Sequence, residues 1–203
     1  MSGEDSDTRS AIFTSIWRKD LWQGTESRSG PGSGVARTAP LRAALEALLD
    51  REQPRLFYDA PCGDFVWMQH VRMPEGTHYL GADIVAPMIA DTESRFGAAN
   101  RTFRVADIVS APPPPADMWL CREALFHLTL EDALAVVAHW RASAIPMFLA
   151  NTSPTVTDNA DITTGDWRPL NLERPPFNLG PATEYLPDGA PTDPHKCVGV
   201  WRL

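Results

Sequence analysis

Three aspartates recur at equal intervals, Asp59, Asp83 and Asp107, 24 residues apart each time. Each closes a short apolar run, in LFYD, GAD and VAD. That interval is about one strand plus its connection to the next, so the acids fall at the carboxyl ends of successive strands, where open α/β sheets bind ligands. Carboxylates in those places suit a nucleoside. An acid after the second strand can accept both hydroxyls of a ribose, and Asp83 stands there with Ile84 beside it to cover one face of a base. Asp107 can accept from an exocyclic amine, with Ile108 supplying backbone polarity. After Asp59, DAPCGD places Cys62, Gly63 and Asp64 in a tight turn whose amides, with the helix that follows, would face a polar ligand. It has one glycine where G-x-G-x-x-G has three, so a dinucleotide pyrophosphate lacks the close approach it needs, and a mononucleoside fits better. Singly, each acid reads equally well as a capping or turn aspartate. The three at one spacing are more specific.

Periodicity supplies the elements that hold these acids. After a short unstructured start, residues 11–22 put Ile12, Ile16 and Trp17 on one helical face. Residues 23–34 (QGTESRSGPGSG) are glycine-rich and read either as a flexible linker or as a loop that brings bare backbone to a ligand. Pro40 suits the first turn of a helix, which Leu41, Leu45, Leu48 and Leu49 continue at helical spacing. Strands at 56–60, 77–84, 102–106, 117–121 and 146–150 then alternate with helical stretches at 65–71, 86–96 and 130–141. Such alternation predicts βαβ units and a parallel sheet covered on both faces. Beyond residue 150 the chain turns proline-rich and ends in a further strand at 197–203.

Composition excludes several functions. The 203 residues, 43% hydrophobic and 22% charged, suit one globular domain. Eighteen basic against 26 acidic residues give a net charge of −8, which disfavours a nucleic-acid partner. Cys62, Cys121 and Cys197 form no CxxC or Cys/His cluster, so neither a disulfide framework nor a metal site is expected. The polar start has no apolar run behind it, and no stretch reaches the roughly 18 apolar residues of a membrane span. The expectation is a cytoplasmic protein without a membrane partner, monomeric or homodimeric.

Beyond these features, IFTSIW, SGPGS, DAPCGDFVWM, YLGADIV, FRVADI, LCREALFHL, DITTGDWRPLNLERPPFNL and KCVGVWRL together resemble class I S-adenosylmethionine (SAM)-dependent methyltransferases. They are most similar to small bacterial O-methyltransferases that include phosphonate O-methyltransferases of natural-product pathways. The resemblance spans nearly the whole chain. It implies a Rossmann-like α/β fold with a seven-stranded, mostly parallel sheet, helices on both faces, an antiparallel end and an N-terminal helical lid. Residues 1–40 would form the lid and glycine-rich loop, and 41–203 the methyltransferase domain, with a substrate-binding insertion at about 155–195. Asp59, Cys62, Gly63 and Asp64 would hold the amino-acid end of SAM, Asp83 the ribose, and Ile84, Asp107 and Ile108 the adenine. Cys121 and Arg122, following the fourth strand, would line the methyl pocket. Trp22, placed in the lid, with Ser29, Gly30, Ser33 and Trp67, completes the expected cofactor set.

Methyl transfer needs alignment, a dry pocket and a nucleophile in the right ionisation state. Only a neutral hydroxyl acceptor calls for a base, and His127 in ALFHL is the best-placed imidazole. An ionised acceptor such as a phosphonate, phosphate or carboxylate calls for cations, and the resemblance points to Arg168 in GDWRPLNL and to Lys196. The expectation is transfer to an oxygen of a small anionic metabolite. Transfer to the neutral hydroxyl of a sugar or natural product and a non-catalytic SAM-binding module are the alternatives.

Overall fold

The computed structural model describes residues 5–189 and 195–203. Strands β1 (Leu56–Asp59), β2 (His78–Asp83), β3 (Arg101–Val105), β4 (Met118–Cys121), β5 (Met147–Thr152), β6 (Glu184–Pro187) and β7 (Cys197–Arg202) form one sheet. Their order is β3-β2-β1-β4-β5-β7-β6. The first five pair in parallel, and β7 lies antiparallel between β5 and β6. Strand order reverses at β1 and β4, opening a crevice at their carboxyl ends.

β4 and β5 are buried along their whole length, as strands covered on both faces require. Successive residues point to opposite faces. Phe57, Leu120 and Leu149 pack on one side with Leu41, Leu45, Leu48 and Leu49 of α2 (Ala39–Glu52) and Ile89 of α3 (Ala86–Phe96). Tyr58, Trp119 and Phe148 pack on the other with Val136, Val137 and Trp140 of α4 (Leu130–Ala142). Burying one such leucine contributes about 1.5–3 kcal/mol, so tertiary packing fixes α2.

Three elements differ from the periodicity. Helix α1 (Ser6–Lys19) begins before residue 11, because Asp5 caps it by accepting the Thr8 N–H at 2.7 Å and Arg9 is buried against the body. Residues 1–4 lie outside the described residues. The expected helix at 65–71 is a turn with one short 3-10 segment, Met68–His70. Phe65 adopts φ 62° to lay its ring against Tyr79 and Phe103, with centroids 5.1 and 5.0 Å away, and that packing overrides helical propensity. No helix start therefore follows β1. Strand β6 has one buried residue, Leu186, and ends in Pro187, so it carries no apolar pattern and exists through its pairing with β7. Residues 153–183 hold neither helix nor strand, and residues 190–194 of the expected insertion lie outside the described residues. Among the described residues, no helix is long and apolar enough to cross a membrane, and no cluster of His, Cys, Asp and Glu is placed to hold a metal.

Candidate active site

A cavity lies over the carboxyl ends of β1 to β4, roofed by α1 and the glycine-rich loop. Asp59, Asp83 and Asp107 all line it, together with Ile84 and Ile108. Asp83 accepts from the backbone N–H of Gly63 at 3.2 Å and of Val85 at 3.0 Å. Burial pushes its carboxyl up to about 6 despite those donors. Asp59 is 2% exposed and accepts from the Tyr79 hydroxyl at 2.5 Å. Burial raises it to about 7; Tyr79 and Arg122 pull it down and Asp83 adds to the rise. Neither acid forms an ion pair among the described residues. Asp107 differs: Arg9 Nη2 reaches its Oδ2 at 2.8 Å and Ser110 donates to the same oxygen at 2.7 Å. Burial would raise Asp107, but these donors hold it below the ordinary aspartate value. Arg9 also pairs with Asp132 on α4 at 3.2 Å, so the start of α1 is tied to two other elements.

The glycine-rich loop is a wall of this cavity. Asp64 accepts from the Ser27 hydroxyl at 2.9 Å and from the Arg28 N–H at 2.9 Å, while its own N–H donates to Ser29 Oγ at 3.0 Å. Asp64 therefore holds the loop and does not line the cavity, unlike its neighbours Cys62 and Gly63. Gly63 has φ 59°, and a Cβ there would fall 2.4 Å from Ser29 Oγ, so only glycine fits. Ser29, Ser33, Trp22 and Trp67 line the cavity; Gly30 lies behind Trp22 and does not. Cys121 also misses it, packing among Tyr58, Trp119 and Phe148 because strand alternation turns it into the core.

At the β4 end stand Arg122, Glu123 and His127. Arg122 is 5% exposed, donates to both oxygens of Asp188 at 3.0 and 2.8 Å and to the Gly32 carbonyl at 2.8 Å, and lies 4.9 Å over the Trp67 ring. Glu123 has φ 53°, its N–H bonds Asn151 Oδ1 at 2.6 Å, and its carboxylate pairs with Lys196. Burial would raise Glu123, but Lys196 and Arg122 hold it at about 2. His127 stacks on Trp22 at 4.7 Å, and its Nδ1 lies 2.8 Å from the Asp166 carbonyl. A carbonyl only accepts, so Nδ1 carries the hydrogen and Nε2 the lone pair. Burial lowers the imidazole below the ordinary histidine value, which keeps it neutral near pH 7.

Neither cation expected to clamp an oxyanion lines this cavity, although Arg168 Nη2 is buried without a hydrogen-bond partner among the described residues. Arg168 does not line the cavity; its Nε bonds the Ala160 carbonyl at 2.9 Å and its Nη1 the Leu125 carbonyl at 2.8 Å, bracing residues 160–168 on the turn that carries His127. Burial lowers its guanidinium to about 10. Lys196 is 5% exposed, also off the cavity, and neutralised by Glu123 with Asp188 3.8 Å away. Sequence reasoning missed Arg9, Phe13, Arg28, Tyr79, Glu123 and Asp188. Arg9, Phe13 and Trp17, four apart, share one face of α1 and gave a usable signal; Glu123 sat inside the motif LCREALFHL. Asp188 carried none.

No family model and no curated protein matches the sequence. Solved structures do. The Burkholderia thailandensis 1,6-didemethyltoxoflavin-N1-methyltransferase, with bound 1,6-didemethyltoxoflavin and S-adenosylhomocysteine, superposes with a TM-score of 0.65 at 17% identity over 100% of this chain and 92% of that one. The chain has the class I methyltransferase fold. Human N-acetylserotonin methyltransferase in complex with SAM gives 0.64 at 13% identity over 94% of this chain, and PigF with SAH gives 0.61 at 18% over 82%. The chain spans 58% and 55% of the lengths of those two proteins.

Proposed function

We propose that this protein transfers a methyl group from SAM to an oxygen of a small molecule. The observation that carries the reading is the pair of buried carboxylates, Asp59 and Asp83, facing one cavity with neither of them in an ion pair among the described residues. Burying a carboxylate without a counter-charge is unfavourable, so the cavity is built to receive a cation and hydrogen-bond donors. SAM fits that demand: Asp59 would take the ammonium of the methionyl end, Asp83 the ribose hydroxyls, and Ile84, Val85 and Met88 offer apolar surface to the base. Bound there, SAM supplies a methyl group on a positively charged sulfur. The likeness to methyltransferases solved with SAM and S-adenosylhomocysteine supports the assignment.

The acceptor best served is a neutral hydroxyl. His127 lines the cavity with Nε2 as a proton acceptor, its tautomer fixed by Asp166 and its ring plane by Trp22. It would take the hydroxyl proton as oxygen attacks the methyl group, and an imidazole neutral near pH 7 is in the right state to do so. Phe13, Trp17, Trp22 and Leu128 surround this end with apolar surface that excludes water. With Arg168 and Lys196 off the cavity, an ionised acceptor atom has less support. Calorimetric titration with S-adenosylhomocysteine tests the cofactor reading: Asp83→Ala should weaken binding by about 1.5–3 kcal/mol, and unchanged affinity in a folded variant would overturn it.

A further inference from the structure

Glu123 stands at the end of the cavity that holds His127, with one carboxylate oxygen unused. Its Oε1 is paired with Lys196, which does not line the cavity, while its Oε2 accepts from no group among the described residues. Glu123 itself lines the cavity with a side chain 17% exposed, so Oε2 is the oxygen left to a ligand. A carboxylate has room for several donors, and leaving it half-satisfied in a largely buried site is costly.

The surrounding charges say what kind of donor it awaits. Lys196 lies 3.8 Å from Asp188 as well, and Arg122, paired with Asp188, lies 3.7 Å from Glu123 Oε1. Two cations thus face two anions, and a further cation would unbalance them. Lys196 and Arg122 hold the Glu123 carboxyl at about 2, so near neutral pH it accepts hydrogen bonds and takes no proton. A neutral hydroxyl suits it.

Two features place Glu123 beside His127. Both stand on the turn after β4, four residues apart, where the His127 N–H donates to the Ala124 carbonyl at 2.9 Å. On the facing loop, a Cβ on Gly30 would lie 3.3 Å from Trp22, the ring that stacks on His127, and one on Gly32 would lie 3.2 Å from Glu123 Oε1. Two residues of chain span at most about 7 Å, so one short segment touches both neighbourhoods. Phe13, Trp17 and Trp22 line the cavity too and offer flat apolar surface to a ring.

We propose that Glu123 selects the methyl acceptor, its Oε2 accepting from a second hydroxyl while His127 takes the proton of the first, so that the substrate is an aromatic compound with hydroxyls on neighbouring carbons. The inference rests on the function proposed above. The hydroxyl at His127 loses its proton to Nε2 as its oxygen bonds the methyl carbon, and the electron pair of the broken C–S bond stays on sulfur. The hydroxyl at Glu123 keeps its proton, and the product is a monomethyl ether.

Initial rates with saturating SAM and three probes test it: 1,2-dihydroxybenzene, 2-methoxyphenol and phenol. In wild type kcat/KM for the diol should exceed that for phenol at least about tenfold, the effect of a hydrogen bond to a charged group, and 2-methoxyphenol should be the poorest. Glu123→Gln should reverse the order. Lys196 only donates, so the amide oxygen turns to it and the amide N–H faces the cavity, where it suits the ether oxygen of 2-methoxyphenol. The diol-to-phenol ratio should then fall about tenfold; a ratio within one protein cancels any loss of folded enzyme. If a melting curve shows the single variant unfolded, Glu123→Gln with Lys196→Met removes both charges of the pair and should lose the diol preference equally. An equal fall on all three probes would mean that Glu123 only braces Lys196 and would overturn the proposal. So would a wild type that treats phenol and the diol alike, or one that binds S-adenosylhomocysteine in calorimetry and methylates none of the three. A wild type that binds no S-adenosylhomocysteine overturns the cofactor assignment instead.

Discussion

The raised carboxyl of Asp59 makes cofactor binding proton-linked, by an amount the structure sets. Asp59 titrates at about 7 and Asp83 at about 6, both raised chiefly by burial. A cation on Asp59 and hydroxyl donors on Asp83 favour the ionised forms, so binding returns both towards the ordinary aspartate range near 4 and expels protons. At pH 6 roughly one tenth of Asp59 and half of Asp83 are ionised; at pH 7.5 roughly three quarters and nearly all are. Affinity for S-adenosylhomocysteine should therefore rise about eightfold through Asp59 and about twofold through Asp83 between those pH values, roughly 1.6 kcal/mol together. At pH 6 about 1.4 protons should leave per ligand bound. Titration calorimetry in two buffers of different ionisation enthalpy counts them. Asp59→Asn should abolish most of the release. Tyr79→Phe removes the donor that pulls Asp59 down and should move the gain in affinity to higher pH. Release below about 0.3 proton at pH 6, with affinity flat to pH 7.5, would refute the claim that these carboxylates receive the cofactor.

Three further outcomes follow from the same geometry. With SAM saturating, His127→Ala should lower kcat about 100- to 10,000-fold and erase an acid limb lying below the ordinary histidine value; a wild-type kcat would remove His127 from the reaction. Arg168→Ala should lower the melting temperature, a loss of about 1–3 kcal/mol from the carbonyls of Ala160 and Leu125, with little change in acceptor KM; the opposite split would restore Arg168 as an acceptor clamp. Arg9→Ala removes a guanidinium shared by the buried Asp132 and the partly buried Asp107 and should destabilise the fold by about 3–5 kcal/mol, read by urea unfolding, with residues 6–19 the first cut by trypsin; an unchanged urea midpoint would show that α1 is held by its apolar face alone.

What the sequence exposed was whatever depends on local pattern. Helix α3 runs from Ala86 to Phe96 as the periodicity predicts, since Pro87 and Gly97 bracket it. Strands β1, β4 and β5 appear as apolar runs because they are buried along most of their length, and the regular spacing of Asp59, Asp83 and Asp107 holds because each ends or closely follows a parallel strand. What stayed hidden depends on distant partners. Arg168 and Lys196 were expected from the resemblance, yet whether a cation faces a ligand is decided by carbonyls and carboxylates tens of residues away, at Leu125 and Glu123. The group that orients His127 left no trace in the sequence because it is a backbone carbonyl, which any residue at 166 presents. The 65–71 segment was misread since three aromatic rings, gathered from β2, β3 and the turn itself, outweigh its propensity.

Arg122 ends β4, yet its guanidinium meets Asp188 beyond β6 and Gly32 in the glycine-rich loop, and Asn151 at the end of β5 bonds that same Asp188 at 2.8 Å. Four stretches of chain thus share one knot. In the history of such a protein, positions 122, 151 and 188 are not independent letters. An ancestor that lost the acid at 188 would keep a buried guanidinium with no counter-charge, and selection would next favour a neutral residue at 122, which in turn frees the loop carbonyl at 32. Change at position 188, beyond β6, is by this route bound to change in how the glycine-rich loop is held, and the two should alter in the same lineages.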